Sequence, residues 1–409
     1  MLYRIALLLA LACPLAAMAA PLTLEEAWRQ AEQANPALRA AHAEVAAAQA
    51  AADEAAVPLN SNPQLSLERR QRSPAIGDSQ REWSAGIAQT FEIAGQPRAR
   101  REAAQAALAA SQSELAETER HLRAEVERAF VRVLSLQLRL AAERQAARLV
   151  ADAEKLAQKR VAAGEDSRLD GNLAKVEAER AGNQAAQFAE RLTEARAALA
   201  ALLFLPPDAL PEAAGELEAA PAAYALQELL AAAEARPALQ ALNQREAAAK
   251  ARADLERGAA WPDVTLGLSV AREGSPAARD KIAGVNLSLP LPLFRRNQAG
   301  IGRALAEHSQ AQAERESGQR DTPAQVRTLW AQLASLRERV RRLAETAQPA
   351  LEENRRLSLA AYQQGEIGLP QLLIVQRQAL DGQRDLLEAR TELRLTRIDL
   401  EAAAGWPAR

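Results

Sequence analysis

Few residues in this chain could do chemistry, and none stands in a spacing that would let it. His42, His121 and His308 are scattered, without the short intervals that bring metal ligands onto one face. The single cysteine, Cys13, has no partner for a disulfide or a soft metal site. The sequence holds neither a phosphate-cradling glycine loop nor a nucleophile elbow. Asp and Glu number 53 against 51 Lys and Arg, and the net charge is −2. Acids interspersed with bases along helices read as solvated faces and i,i+4 pairs, and the absence of a basic face argues against nucleic acid. The sequence therefore implies no enzyme, no cofactor and no resident metal. What stands out instead is Ala163-Gly164-Glu165, which returns 201 residues later as Gln364-Gly365-Glu366.

Those two triplets belong to a longer recurrence. Val126, Phe130, Val133, Leu136 and Leu140 reappear as Val326, Trp330, Leu333, Leu336 and Val340, and Ala34-Asn35-Pro36-Ala37-Leu38 as Ala235-Arg236-Pro237-Ala238-Leu239. Gln64-Leu65-Ser66-Leu67 pairs with Asp263-Val264-Thr265-Leu266. Matches that keep their order across half a chain mean a duplicated unit. The expected organisation is a first repeat over 20–205, a Pro-rich linker over 206–223 and a second repeat over 224–409. Residues 1–19 read as an export signal, with Arg4, an apolar run from Ile5 to Ala12 and small residues at Ala17-Met18-Ala19. A membrane anchor, or a lipidated Cys13, is the alternative for that segment. Loss of the signal removes the only cysteine, so stability must come from packing.

From about Arg98 to Val161 the sequence carries no proline and repeats apolar residues every three or four positions. Such a helix is on the order of 90 Å long and must lie along partners, as in a coiled coil. The second copy, from about Asn297 to Gln363, carries Gly318 and Pro323, which predict a kink or break there. Each rod ends at a glycine tip, and a shorter helix returns, to about 203 and 404. A further helix opens each half, over roughly 23–57 and 225–259. Between opening helix and rod the period changes to two, predicting β-hairpins over about 63–93 and 262–292. Four strands of about ten residues have the length to cross an outer membrane at a tilt, but they cannot close a barrel alone, so several chains must contribute. The alternation by itself also allows a small soluble sheet capping a helical bundle.

At this point the chain resembles the TolC-like outer-membrane efflux proteins over Ala20 to Arg409. Two stretches, Gln89-Thr90-Phe91-Glu92-Ile93-Ala94-Gly95-Gln96-Pro97-Arg98 and Pro290-Leu291-Pro292-Leu293-Phe294-Arg295-Arg296-Asn297-Gln298-Ala299-Gly300, resemble the CzcC-like cation-efflux branch. The resemblance implies a mainly α fold with a membrane β part: a homotrimer whose twelve-stranded barrel continues as a twelve-helix periplasmic tube. It implies a passive exit duct for heavy-metal cations, fed by a proton-driven inner-membrane pump of the RND type through a periplasmic adaptor. Ducts for drugs or for type I protein secretion share this architecture, and a soluble periplasmic coiled-coil scaffold is the reading from another class.

By position, the resemblance makes Ala163, Gly164, Glu165, Gln364, Gly365 and Glu366 the adaptor-docking tips. It makes Tyr362 and Asp170 candidates for a periplasmic gate. The family's arginine two residues after the second glycine is replaced by Ile367, and acidic pore positions by Gln371 and Ile374. Those departures imply a looser or differently built gate. Each tip glycine taken alone also reads as an ordinary helix end.

Overall fold

The structure, a computed structural model, describes residues 21–73, 79–218, 224–275 and 278–406. The expected export signal, Cys13 and the end of the linker at 219–223 lie outside the described residues. The chain separates into two compact units, each drawn from both sequence repeats: one from residues up to 35, 122–223 and 329–399, the other from 36–121, 224–328 and 400–409.

The element order is α1 (Leu24–Ala34), α2 (Pro36–Ala56), β1 (Gln64–Arg72), β2 (Gln80–Phe91), α3 (Gln96–Ala163) and α4 (Arg168–Leu202). It continues with α5 (Leu226–Glu234), α6 (Pro237–Gly258), β3 (Val264–Ser275), β4 (Ala278–Ser288), α7 (Gln298–Arg342), a π-helical turn (Leu343–Ala347), α8 (Gln348–Gln363) and α9 (Leu369–Ala404). Where one opening helix was expected in each half, two are found. Pro36 and Pro237 are the reason: a proline forces the residue before it out of the helical region, and Asn35 (φ −66°, ψ 125°) and Arg236 (φ −59°, ψ 137°) are extended.

The expected break at Gly318 and Pro323 does not occur, since α7 runs through both. A side chain at 318 would meet Leu242 at 2.8 Å and Leu239 at 3.1 Å, so the glycine serves the close approach of α6. The irregular turn comes at Leu343–Ala347 instead, where the Gln348 N–H reaches back to the Leu343 carbonyl. Pro349 has no N–H to continue the regular ladder, and an i→i+5 turn absorbs the mismatch.

In the first unit the core follows the expected seam: Val126, Phe130, Val133 and Leu140 of α3 are buried, with Leu192, Leu199 and Leu203 beyond them. Burying each such side chain contributes about 1.5–3 kcal/mol. Among them Glu143, 2% exposed, accepts hydrogen bonds from Arg139 Nε at 2.8 Å and Arg384 Nε at 2.9 Å, tying α3 to α9. The segment read as a linker is strapped down: Leu22 bridges Ala213, and the Gln137 amide bonds both the N–H and the carbonyl of Ala213.

In the second unit, α3 pairs with α6 through Arg245 and Glu114, and α6 with α7 through Arg315 and Glu246. The four strands form one antiparallel sheet in the order β1-β2-β3-β4. Its register places Leu65, Ile87, Leu268 and Val285 in one row on one face and Ser66, Gly86, Ser269 and Gly284 in the next row on the other. Both edges, β1 and β4, are open. Among the described residues no helix is long and apolar enough to cross a membrane.

Candidate functional site

Both tips lie in the first unit and close with the same backbone device. Gly164 (φ +78°) sends its N–H to the Val161 carbonyl at 3.1 Å, and Glu165 sends its own to Arg160 at 2.9 Å. Gly365 (φ +76°) bonds the Tyr362 carbonyl at 3.1 Å, and Glu366 that of Ala361 at 2.9 Å. This is a Schellman motif at each end, and it requires a left-handed residue that glycine adopts without strain. A Cβ at either glycine would meet nothing within 4 Å, so dihedral freedom rather than space selects glycine there. Ala163, Gly164, Glu165, Gln364, Gly365 and Glu366 are all exposed. The two turns therefore present the exposed side chains of Glu165, Gln364 and Glu366, with their own backbone amides turned inward.

Tyr362 does the opposite. Only 1% exposed, it packs among Ala157, Ala174, Leu369 and Leu372, with Leu156, Leu359, Ile367 and Leu373 around them. Its hydroxyl donates to Asp166 Oδ2 at 3.2 Å. Arg160 Nε donates to the same carboxylate oxygen at 3.0 Å, and its guanidinium lies over the Tyr362 ring, 5.1 Å from the centroid. Burial, then the neighbouring Asp166 charge, pushes the Tyr362 pKa up to about 12, against the opposing pull of Arg160. The phenol is therefore neutral at any physiological pH and acts as a donor. This triad joins the segment after the first tip to the end of α8.

Within the chain the carboxylate that meets Tyr362 is thus Asp166, not Asp170. Asp170 is taken up locally: its Oδ2 accepts from the Ser167 hydroxyl at 2.6 Å and the Ser167 N–H at 3.2 Å, and its own N–H bonds Ser167 Oγ. That is a capping box opening α4. Sequence reasoning passed over Arg160 and Asp166. The available signal was two opposite charges flanking Gly164, absent from the second tip, where Ala361 and Ile367 stand. His42, His121 and His308 belong to no metal-binding cluster: among the described residues no group of three His, Cys, Asp or Glu could hold a metal ion.

The model of the outer membrane efflux protein family matches the chain twice, over residues 27–203 and 229–406. The chain belongs to that family. Its place is therefore the outer membrane, reaching into the periplasm, and its work is efflux. It is similar to the cobalt-zinc-cadmium resistance protein CzcC of Cupriavidus metallidurans, with 28% identity over 372 residues, 91% of this chain and 85% of that protein. Among solved structures, the outer-membrane channel OprN matches with a TM-score of 0.80 at 21% identity, covering 94% of this chain and 90% of that one. The outer membrane protein VceC from Vibrio cholerae matches with a TM-score of 0.79 at 20% identity, covering 93% and 96%. At those identities the likeness to solved structures is one of fold.

Proposed function

We propose that three copies of this chain pool their sheets into a twelve-stranded barrel, continued by twelve periplasmic helices, and so form a passive exit duct for heavy-metal cations. The observation that carries the proposal is the sheet. Four strands in sequential order, apolar on one face and open at both edges, cannot satisfy their own backbone in hydrocarbon. Pairing β1 of one copy with β4 of the next removes every edge. The twofold match to the family model supports a duplicated chain, each half contributing a hairpin of strands and a hairpin of helices. Heavy-metal cargo is supported by the likeness to a cobalt-zinc-cadmium resistance protein over nearly the whole length. The duct itself supplies no energy, so an inner-membrane pump drives transport through a periplasmic adaptor, and the adaptor docks on the exposed turns at Gly164 and Gly365. The Arg160–Asp166–Tyr362 triad holds these turns in place.

Replacing Gly365 with Trp tests the docking role. The expected result is loss of resistance to zinc, cobalt and cadmium with normal amounts of channel in the outer membrane. Unchanged resistance overturns the assignment of the tips, and a deletion strain sensitive to drugs but not to these metals overturns the cargo.

A further inference from the structure

Charge in the sheet is sorted by face, and the sorting has no counterpart in the efflux role. On the mostly apolar face four successive rows carry Phe91 and Val264, then Leu266 and Leu287 beside the single polar residue Gln89, then Leu65, Ile87, Leu268 and Val285, then Leu67, Ala85, Val270 and Ala283. Rows two residues apart lie about 6.8 Å apart along the strand, so this belt is roughly 20 Å long along the strands and about 15 Å tall at the tilt of barrel strands, which fits inside the apolar band of about 25 Å. The next row on the same face, toward the hairpin turns, runs straight across all four strands as Arg69, Trp83, Arg272 and Lys281. The row after it adds Arg81 and Arg279.

All five basic side chains are exposed, and none has an ion-pair partner among the described residues. No acid shares these two rows. The opposite face near the same height is mixed: it carries Glu68, Glu82, Glu273 and Asp280 beside Arg70, which is paired with Glu68 at 2.8 Å, and Arg72. Strand alternation alone would scatter both signs over both faces. A lipid-facing cation just beyond the apolar belt meets headgroups, and a row of unpaired cations about 5 to 10 Å apart, two guanidiniums and an ammonium, fits phosphate oxygens, which arginine binds with two donors at once. Trp83 at the centre of the row sits where aromatic girdles mark the interface.

We propose that Arg69, Arg272 and Lys281, backed by Arg81 and Arg279, form a girdle that binds the phosphate headgroups of lipids in the outer leaflet. The girdle rests on the barrel reading above. It fixes the depth of the channel in the membrane and gives the lipid-facing rim a preference for anionic lipid, whose phosphate charge no headgroup cation offsets, over zwitterionic lipid.

The test uses the full-length channel in nanodiscs of phosphatidylcholine, with and without bisphosphorylated lipid A or phosphatidylglycerol, followed by native mass spectrometry of retained lipid. The wild type is expected to retain both anionic lipids over zwitterionic phosphatidylcholine, lipid A more strongly, and to lose the preference at high salt. The triple variant Arg69→Gln, Arg272→Gln, Lys281→Gln is expected to retain lipid A roughly a hundredfold less, at about tenfold for every one or two charges lost near the surface. Lysine in place of the two arginines keeps most of the preference, and Arg70→Gln on the other face leaves it unchanged. Equal retention by wild type and triple variant overturns the girdle, as does displacement of the lipid by millimolar inorganic phosphate, which marks a free-anion site. If the triple variant does not insert, the wild type decides alone: no preference for anionic over zwitterionic lipid overturns the proposal. Failure of the wild type itself to insert defeats the barrel, whereas insertion without the preference defeats only the girdle.

Discussion

The two tips share one backbone and differ in what fills the space behind it. Gly164 and Gly365 have φ values two degrees apart and close the same pair of hydrogen bonds. Behind the first tip, Val161 lies against Gly171, where an added Cβ would sit 3.2 Å from Val161 Cγ2, so α3 and α4 approach closely. Behind the second, the matching positions are Tyr362 and Leu372, both buried. The first tip contributes charge, Arg160 and Asp166, and the second contributes the phenol that those charges hold. The turn is thus the same at both tips, and the side chains behind it are complementary halves of one contact.

Removing the large member of each pair breaks this comparison hardest. Tyr362→Ala leaves a cavity in a buried cluster and strips Asp166 of a donor, and should cost about 3–5 kcal/mol. Val161→Ala, at a half-buried site, should cost about 1 kcal/mol. Hydrogen exchange in the turns at 160–166 and 361–367 reads both. Equal losses would mean that the two tips pack alike. Asp166→Asn is the next largest, about 1–3 kcal/mol, because Arg160 loses its nearer charge partner and keeps only Glu165, at 3.8 Å. It should also lower the tyrosine pKa from about 12 only part of the way to the unperturbed 10.0, since burial is the larger cause. The phenol is raised in the folded state, so its contribution is complete below pH 10 and fades as pH rises through about 12. Ultraviolet titration of the two proteins checks the shift. Tyr362→Phe should accordingly change stability by the same amount at about pH 6 and about pH 8. The smallest effects, about 1 kcal/mol each, are expected for Gly164→Ala and Gly365→Ala, where the only penalty is the left-handed dihedral. Losses that differ between these two would show that the backbones are not equivalent.

Much of the fold was legible in local pattern. The three-four spacing of Val126, Phe130 and Val133 needs only helical geometry to become a buried seam. The alternation of Leu65, Leu67, Ile87, Leu268 and Val270 needs only the pleat. Pro36 and Pro237 were visible as prolines, yet the helices around them were read as continuous, although the extended dihedral forced on Asn35 and Arg236 follows from sequence alone. The π turn at Leu343–Ala347 depends on Pro349 acting at a distance, whereas Pro323 sits inside α7 without interrupting it. Asp166 and Asp170 could not be ranked from sequence: Asp170 is taken up in the capping box with Ser167, while Asp166, held by Arg160, accepts from Tyr362.

The central claim, that copies of one chain close a cylinder none can close alone, is tested most directly by the mass of the channel released from outer membranes in mild detergent. Native mass spectrometry should give three chains, with the edge amides of Gln64–Arg72 and Ala278–Ser288 protected from exchange in that assembly. A single chain whose edge amides are already protected would contradict the account.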